Sequence, residues 1–297
     1  MLKEADEKIG TQPNRSIGVG ELWAGGLRKV GLATQHLQSD QHLPSDGCQA
    51  PRSLAPRPCN RLVARLEAVG NLSRDDREAI HAICRDAQAV PVHRSIIRAG
   101  EKPEHVHIVV EGWTARAETL ADGTRQISAF LIPGDFCNLH AAILGEVDHD
   151  LIALTDAKVA FVPHEVMDDL ARERPALRDA LRWVNSVDEA VLRAWLSSIG
   201  RRDAYGRIAH LFCELHARMT LIGLVEHGCF DLPITQEMLA DAQGLTPVHV
   251  NRTLQALRGD GLIELAERRL TILDMVGLQN AAGFDPTYLY LGMRARR

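Results

Sequence analysis

Two histidines in the run GEKPEHVHIVVEG, His105 and His107, are well suited to metal chemistry. They stand two residues apart, and side chains at that spacing on a β-strand point to the same face. Two imidazoles on one face are the start of a facial ligand set for a divalent transition metal. Glu111, on the same strand, and His140, further along the chain, are the candidates for additional ligands.

Other catalytic chemistry is not indicated. The six cysteines are scattered without a CxxC pair, which predicts reduced thiols that pack as small hydrophobic side chains. No Ser-His-Asp arrangement and no phosphate-binding glycine loop stands out. Our preferred interpretation therefore contains no catalytic residue, no metal ligand and no cofactor.

A second set of polar side chains lies at helical spacing nearer the C-terminal end. At 100° per residue, Arg252 and Gln255 lie on the helix face opposite Val250, which is apolar. An arginine can donate two hydrogen bonds to O6 and N7 of a guanine in the major groove of DNA. The predicted base-reading positions are Val248, His249, Asn251, Arg252 and Gln255.

The stretch ITQEMLADAQGLTPVHVNRTLQALR at 234–258 predicts the helix-turn-helix that positions these side chains. Thr235 is a good N-cap for a first helix, and Ala240 is small where the second helix must cross closely. Gly244 suits a turn that needs a positive φ. Thr246, which precedes a proline, predicts the start of the second helix, where its hydroxyl and the unpaired N–H groups can hold a DNA phosphate.

A wing is predicted after this motif, with two short strands at 262–265 and 270–273. Arg268 and Arg269 lie at its tip, where they can contact the DNA backbone. Residues 201–273 contain eight arginines and nine acidic side chains, so their electrostatic attraction to DNA is weak. High affinity then depends on two copies of the motif binding together.

The residues upstream of this motif have β-strand patterning. Residues 90–163 contain short β-branched runs separated by turn signals such as Asp122-Gly123, which predicts a small antiparallel β-roll. The predicted fold class is therefore α+β. The predicted strands are Ile96–Arg98, Val106–Val110, Thr114–Thr119, Gln126–Ile132, Leu151–Leu154 and Val159–Val162.

A long helix is predicted between the roll and the helix-turn-helix, beginning at Pro175 and ending at Gly200. A narrow apolar stripe, which Asp188 interrupts, follows this helix and suits a partner helix in a dimer. Packing of the same stripe against the chain's own domain is the alternative. The residues of the predicted dimer interface are Leu177, Leu181, Val184, Val191 and Trp195.

The chain of 297 residues is long enough for two domains, and its formal net charge is −5. No apolar run approaches the ~18–20 residues that span a bilayer, and no secretory signal is recognisable, so we expect a cytoplasmic protein without a membrane partner. The predicted domains are a poorly ordered extension at 1–58, a β-roll sensor domain at 59–174, a dimerisation helix at 175–200, a winged helix-turn-helix domain at 201–276 and a C-terminal tail at 277–297.

From about residue 61 to 276 the chain resembles the Crp/Fnr family of bacterial transcription regulators. The stretch TPVHVNRTLQALRGDGLI is similar to that family's DNA-binding signature. IVVEGW at 108–113 and IPGDF at 132–136 resemble the glycine turns of its cyclic-nucleotide-binding-like roll, and GRRDAYGRIAHLFCEL at 200–215 is similar to the hinge and following helix in a subgroup. The resemblance implies a homodimer that binds an inverted repeat in double-stranded DNA. It leaves open a contact with RNA polymerase and the choice between activation and repression.

The resemblance also bears on the effector. Members that bind cyclic nucleotides have a Gly-Glu pair shortly after the PGDF-like turn and an Arg-Ser pair further on. Here residues 137–140, CNLH, occupy the first position, and the second falls near His149-Asp150, whose carboxylate would repel a phosphate. The family's iron–sulfur sensors have an N-terminal cysteine cluster, whereas Cys48 and Cys59 stand alone. We therefore expect a degenerate roll that binds no cyclic nucleotide, and the sequence assigns no effector-binding residues.

By alignment with the family, the DNA contacts fall on Val248, Asn251 and Arg252. Many members have a glutamate at the position of Val248, where it accepts a hydrogen bond from cytosine N4. A valine cannot accept that bond, but it can contact a thymine methyl group. The resemblance therefore does not fix which base pair is preferred at this position of the half-site.

The histidine motif keeps other interpretations open. GEKPEHVHIVVEG is similar to the first metal motif of the cupins, which are also small β-rolls. The spacing from Gly100 to His105 is one residue short of that pattern, and Pro133 and Gly134 are adjacent where cupins need Pro-x-Gly. The alternatives are a regulator that senses a metal or a small ligand, and a cupin-like metal enzyme domain fused to a DNA-binding module.

Overall fold

The computed structural model describes residues 59–291, which have the predicted α+β fold. A β-roll built from two sheets is followed by a helix of 27 residues and then by a helical domain with a three-stranded sheet. The extension predicted at 1–58 lies outside the described residues, and so do residues 292–297.

The roll consists of two antiparallel sheets. Its strands are β1 (Gln88–Val90), β2 (Ser95–Ile97), β3 (His105–Glu111), β4 (Thr114–Thr119), β5 (Arg125–Leu131), β6 (Asp150–Ala153) and β7 (Ala157–Pro163). The strand order is β1-β7-β3 in one sheet and β2-β6-β4-β5 in the other. All six predicted strands are present, with ends that differ by no more than two residues. Strand β1 was not predicted, because a run this short shows no clear alternation.

Two glycines make the close turns of the roll possible. Gly112, between β3 and β4, has a φ of 79°, and a Cβ atom there would collide with the backbone oxygen of Asp156. Gly134, after β5, has a φ of 94°, and its Cβ atom would lie 3.0 Å from the backbone of Arg61. Both positions therefore require glycine, for its left-handed backbone and for its missing side chain.

Two short helices, α1 (Asn60–Glu67) and α2 (Arg74–Ile83), pack against the first sheet. Helix α2 begins with a capping box. The Ser73 hydroxyl accepts a hydrogen bond from the Asp76 N–H at 3.0 Å, and the Asp76 carboxylate accepts one from the Ser73 N–H at 3.0 Å. Two backbone N–H groups at the start of the helix are satisfied in this way.

A disulfide joins Cys59 at the start of α1 to Cys84 at the end of α2. The prediction of six reduced thiols is therefore wrong for this pair, and it is also wrong for Cys229, which is disulfide-bonded. The two residues are 25 positions apart in sequence, and the folding of α2 back along α1 brings their Cα atoms to 6.1 Å. That distance is suitable for a disulfide, and sequence spacing alone does not reveal it. Cys137 and Cys213 are free and buried, as expected.

The roll is connected to the C-terminal domain by helices. A single turn, α3 (Ala141–Leu144), lies between β5 and β6, and α4 (His164–Glu173) follows β7. The long helix α5 (Pro175–Arg201) begins at the predicted proline and ends one residue after the predicted end.

The C-terminal domain contains α6 (Ala204–Leu221), α7 (Gln236–Gln243), α8 (Pro247–Gly259) and α9 (Met275–Ala282), and then a 3₁₀ turn at Pro286–Leu289. Its sheet has the order β8-β10-β9, with β8 (Cys229–Asp231), β9 (Ile263–Ala266) and β10 (Arg269–Ile272). Helix α9 packs against α6 through the buried side chain of Leu278. It begins before residue 277, where we expected a tail, and Asp274 caps it by accepting a hydrogen bond from the Gly277 N–H at 2.9 Å.

One hydrophobic core extends from the roll into the C-terminal domain. It includes Phe130 on β5, Phe212 on α6 and Leu239 on α7, all at most 1% exposed. Polar contacts reinforce this junction, since Arg125 on β5 forms an ion pair with Asp241 on α7 at 2.7 Å. The first helix of the predicted DNA-binding motif therefore packs directly against the roll.

Between residues 59 and 291, no helix combines the length and the apolar character needed to cross a membrane.

Candidate nucleic-acid interface

Helices α7 and α8 form the predicted helix-turn-helix. The Thr235 hydroxyl caps α7 by accepting a hydrogen bond from the Met238 N–H at 3.2 Å. The Thr246 hydroxyl caps α8 by accepting one from the His249 N–H at 3.3 Å. Gly244 ends α7 with a φ of 61°, as the turn requires.

The buried face of α8 fixes the rotation of this helix. Val250, Leu254 and Leu257 are completely buried, and Ala240 on α7 is 3% exposed where the two helices pack together. Side chains on the opposite face of α8 must therefore point to solvent.

Four of the five predicted base-reading side chains are exposed on that face. Val248 is 62% exposed, and His249, Arg252 and Gln255 are exposed as well. Asn251 differs, because it is half-buried and its amide donates a hydrogen bond to Oε1 of Gln236 on α7 at 3.2 Å. Asn251 thus also holds the two helices together.

The N-terminal end of α8 has few available donors. The Thr246 side chain is exposed, but its hydroxyl is the cap of the helix. Pro247 has no N–H, and the His249 N–H is satisfied by the cap, so the Val248 N–H is the donor left in the first turn for a phosphate. The phosphate contact predicted at Thr246 therefore stays a prediction, in which the N-terminal end of α8 binds the phosphate through the Val248 N–H.

The wing places its two arginines differently. Glu267 and Arg268 form the turn between β9 and β10 with positive φ angles of 50° and 62°, and the Arg268 side chain is exposed. Arg269 is half-buried on β10, with its Nε atom 3.2 Å from an oxygen of Asp231. Of the two predicted backbone contacts, Arg268 is thus the more accessible to DNA.

A cavity of about 560 Å³ lies between the second sheet of the roll, α5 and α6. Three arginines line it, and each forms an ion pair with a carboxylate. Arg116 contacts Asp188 at 3.1 Å, Arg65 contacts both Asp188 at 3.0 Å and Asp135, and Arg218 contacts Asp135 at 2.6 Å. These cations are therefore already neutralised, which leaves them poorly suited to bind a phosphate.

Burial changes the acid–base properties of this network. Burial lowers the pKa of Arg65 to about 10, so its guanidinium is still charged at neutral pH. On α6, burial raises the pKa of Glu214. Its carboxylate accepts hydrogen bonds from Trp195 at 3.0 Å and Tyr288 at 2.8 Å, and it also contacts Arg218 at 3.3 Å.

Three of the predicted dimer-interface residues are buried inside the protomer. Leu177 is 3% exposed, Val184 is completely buried, and Trp195 donates its indole N–H to Glu214. Leu181 is half-buried against the core that contains Leu177 and Val184, and Val191 is half-buried against the core that contains Trp195. The physical reason is that this face of α5 packs on the chain's own domains, the alternative that the sequence left open.

The exposed apolar side chains of α5 are different ones. Leu192 is 54% exposed and Leu196 is 72% exposed, and they lie one helical turn apart. Asp188, which interrupts the predicted stripe, faces the roll and its arginines. A partner helix would therefore meet the side of α5 that carries the two leucines.

The histidines of β3 do not form a ligand set with Glu111. His107 is buried, and its Nδ1 atom lies 3.2 Å from Oδ1 of Asn138. Burial lowers the pKa of His107 to about 4, so the ring is neutral. Glu111 pairs with Lys158 at 3.0 Å, and His140 lies in a different group. His107 and Glu111, which suggested a cupin-like metal centre, thus contact Asn138 and Lys158 instead.

Sequence reasoning missed the grouping of His140 with Asp148 and His149, whose potential ligand atoms lie within 4.8 Å of one another. The sequence pattern links His140 only to the histidines of β3, and His149 stands there only as the neighbour of Asp150, whose carboxylate would repel a phosphate. A signal was present in the sequence, because His140 and His149 lie on either side of a segment short enough to fold back on itself.

Comparisons with known proteins agree with this architecture. Residues 206–281 match the Crp-like helix-turn-helix domain, and residues 88–174 match the cyclic nucleotide-binding domain. The transcriptional activator protein FnrL of Cereibacter sphaeroides is 30% identical over 196 residues, which are 65% of this chain and 78% of FnrL. The anaerobic regulatory protein of Haemophilus influenzae is 23% identical over 255 residues, 86% of this chain and 96% of that protein. Among solved structures, FixK2 from Bradyrhizobium japonicum superimposes with a TM-score of 0.60 and 25% identity, covering 67% of this chain and 98% of FixK2.

Proposed function

Because this chain belongs to the Crp/Fnr family of DNA-binding transcription regulators, we propose that it binds an inverted-repeat promoter site as a homodimer. The observation that supports this most directly is the geometry of α8. One face of the helix is completely buried, and the opposite face presents Arg252 and Gln255 to solvent. A helix held in this way can enter the major groove with its polar face toward the bases.

Dimerisation is the second part of the proposal. The C-terminal domain has no net positive charge over 201–273, so a single copy would bind DNA weakly. Two copies joined through α5 would double the contacts and fix the distance between the recognition helices. The exposed Leu192 and Leu196 support a contact along this helix. Two relatives are named transcriptional activators, FnrL of Cereibacter sphaeroides and FnrA of Stutzerimonas stutzeri, which supports activation as the outcome. We propose that this chain acts in the cytoplasm through a contact with RNA polymerase.

The third part is that the roll does not bind a cyclic nucleotide. Every arginine among the described lining residues of the cavity is paired with a carboxylate. Asp148, also in the lining, adds negative charge where a phosphate would sit. Calorimetry with cyclic AMP and cyclic GMP at millimolar concentration should therefore show no binding heat, and micromolar affinity for either would contradict this part.

Selection of bound sequences from a random DNA pool tests the main proposal. We expect an inverted repeat whose half-sites lie about one helical turn (~34 Å) apart. A selected site with a single half-site, or no enrichment at all, would contradict it. Mass photometry of the purified complex on the selected site should then give two chains per DNA duplex.

A further inference from the structure

The cavity beside α5 has a second polar feature besides its arginines. His140, Asp148 and His149 line its wall, with one potential ligand atom of each within 4.8 Å of the other two. His140 directly precedes α3, and His149 directly precedes β6. The chain thus leaves the roll and returns to it at nearly the same point.

The distances are close to those of a metal site. Nδ1 of His149 lies 2.7 Å from Oδ1 of Asp148, and the rings of His140 and His149 have centroids 5.6 Å apart. Ligand atoms around a zinc or ferrous ion lie about 3 Å apart, because each bond to the metal is about 2.0–2.2 Å long. The potential ligand atoms, which lie within 4.8 Å of one another, must move closer together to bind one ion.

A buried nitrogen in this group has no partner. The side chain of His149 is 12% exposed, and its Nε2 atom is buried without a hydrogen bond to any described residue. Buried polar atoms in proteins are nearly always satisfied. The contact of Nδ1 with Asp148 therefore leaves the Nε2 atom of this imidazole as the nitrogen without a partner among the described residues.

The surrounding charges are compatible with a bound cation. Arg116, which lines the same cavity, is held by Asp188 at 3.1 Å and by the carbonyl oxygens of Cys137 at 2.8 Å and Phe136 at 3.0 Å. It is thus fixed in place and does not neutralise Asp148.

We propose that His140, Asp148 and His149 bind a divalent first-row transition metal such as zinc or ferrous iron. Two imidazoles and one carboxylate suit these ions better than magnesium or calcium, which prefer oxygen ligands. Three protein ligands leave at least one coordination position open toward the cavity. A small molecule with an oxygen or nitrogen donor can bind there, so the metal would supply the effector site that the paired arginines cannot.

This proposal does not depend on DNA binding, and it is tested without DNA. The full-length protein is freed of metal with a chelator and titrated with cobalt(II), whose visible absorption reports nitrogen and oxygen ligands. Zinc then displaces the cobalt in a competition titration. We expect one ion per chain, and we expect His140→Asn, Asp148→Asn and His149→Asn each to weaken binding at least ~100-fold, since even a residue behind the ligands commonly contributes 10–100-fold.

His93→Asn is the matched control, because His93 is an exposed histidine of the roll outside the proposed site. It should bind cobalt as the wild type does. The proposal is overturned if the folded wild type binds no metal, or if all three site variants keep their affinity. If a variant loses its fold, the cobalt-shifted proton NMR spectrum of the wild type decides, because two exchangeable imidazole N–H signals are expected and fewer would contradict the ligand set.

Discussion

Arg252 and Arg268 are both exposed arginines of the C-terminal domain, but their positions predict different contacts with DNA. Arg252 lies on the solvent face of α8, whose rotation is fixed by Val250, Leu254 and Leu257. Arg268 lies on the turn of the wing between β9 and β10, on a different element from α8. A base contact affects specificity, whereas a phosphate contact affects affinity for all sequences.

We predict that Arg252→Ala costs about 1–3 kcal/mol per half-site and relaxes the preference at one base pair. Arg268→Ala should weaken binding to all sequences alike and make the salt dependence shallower, because one phosphate contact is lost. Fluorescence anisotropy on the selected site and its single-base variants, at two salt concentrations, measures both effects. Arg74→Ala, on the exposed surface of α2, should change neither. If Arg252→Ala kept the full base preference, Arg252 would be a phosphate contact.

The pH dependence of stability can be assigned to buried histidines such as His210 on α6. Its ring stacks on Tyr288, and burial, with a smaller effect of Arg202, lowers its pKa from 6.5 to about 4. Between these two values the unfolded chain takes up a proton that the folded chain does not. The contribution of His210 to the free energy of unfolding is therefore complete above its unfolded pKa of 6.5. It decreases as the pH falls from 6.5 to about 4.

We predict that His210→Phe, which keeps an aromatic ring against Tyr288, reduces the loss of thermal stability on acidification. The measurement is Tm at a series of pH values between about 7 and about 4. His216→Phe should act in the same direction, because burial lowers the pKa of His216 to about 4 as well. His93→Asn, at an exposed position, controls for the removal of an imidazole. A Tm of His210→Phe that fell as steeply as that of the wild type would rule out this assignment.

At the scale of the element, α5 shows the limit of a periodic pattern. The spacing of Leu177, Val184 and Trp195 correctly predicts a long helix with one apolar face. It does not say what covers that face, and the structure shows that the roll and α6 do so. The indole N–H of Trp195, which needs a buried acceptor, finds it in Glu214.

The exposed side of α5 leads to a prediction about assembly. Leu192→Asp together with Leu196→Asp should give monomers, because a dimer seam cannot bury unpaired carboxylates. The doubly changed protein should keep its fold, since both side chains are exposed. Light scattering at micromolar concentration measures the mass. Val92→Asp with Leu120→Asp, at exposed apolar positions of the roll, is the matched control and should leave the mass unchanged. A wild type that is monomeric with and without DNA would contradict the prediction.

Short elements with clear turn or cap residues could be predicted from the sequence, and contacts between distant elements could not. The strands of the roll, the capping box at Ser73 and the turn at Gly244 are local features, so their residues are neighbours in the chain. The Cys59–Cys84 disulfide and the meeting of His140 with His149 depend on how elements fold back on each other. Helix α9 was missed because its sequence, MVGLQNAA, has no charged side chain and contains a glycine, so no polar face marks a helix.

At the scale of the whole molecule, a chain of ion pairs connects the roll with the C-terminal domain. Asp135, at the Gly134 turn, is 1% exposed and contacts Arg65 on α1 and Arg218 on α6. Arg218 continues the chain to Glu214 at 3.3 Å. A single buried carboxylate thus joins two domains and balances two buried arginines.

We predict that Asp135→Asn destabilises the protein by about 3–5 kcal/mol, because two buried cations lose their common partner. The free energy of unfolding in urea, followed by tryptophan fluorescence, measures this effect. Asp86→Asn, at an exposed position of the roll, should change the free energy of unfolding by less than about 0.5 kcal/mol. A similarly small effect of Asp135→Asn would show that the network contributes little to stability.

The core shared by the roll and the C-terminal domain also has a consequence for biosynthesis. Trp113, Ile127 and Phe130 of the roll are covered by residues as distant in sequence as Phe230. At about 5–20 residues per second, the ribosome makes these later residues several seconds after the roll has emerged. We expect the nascent chain to present Trp113 and Phe130 uncovered during that interval, which favours binding by chaperones near the ribosomal exit tunnel.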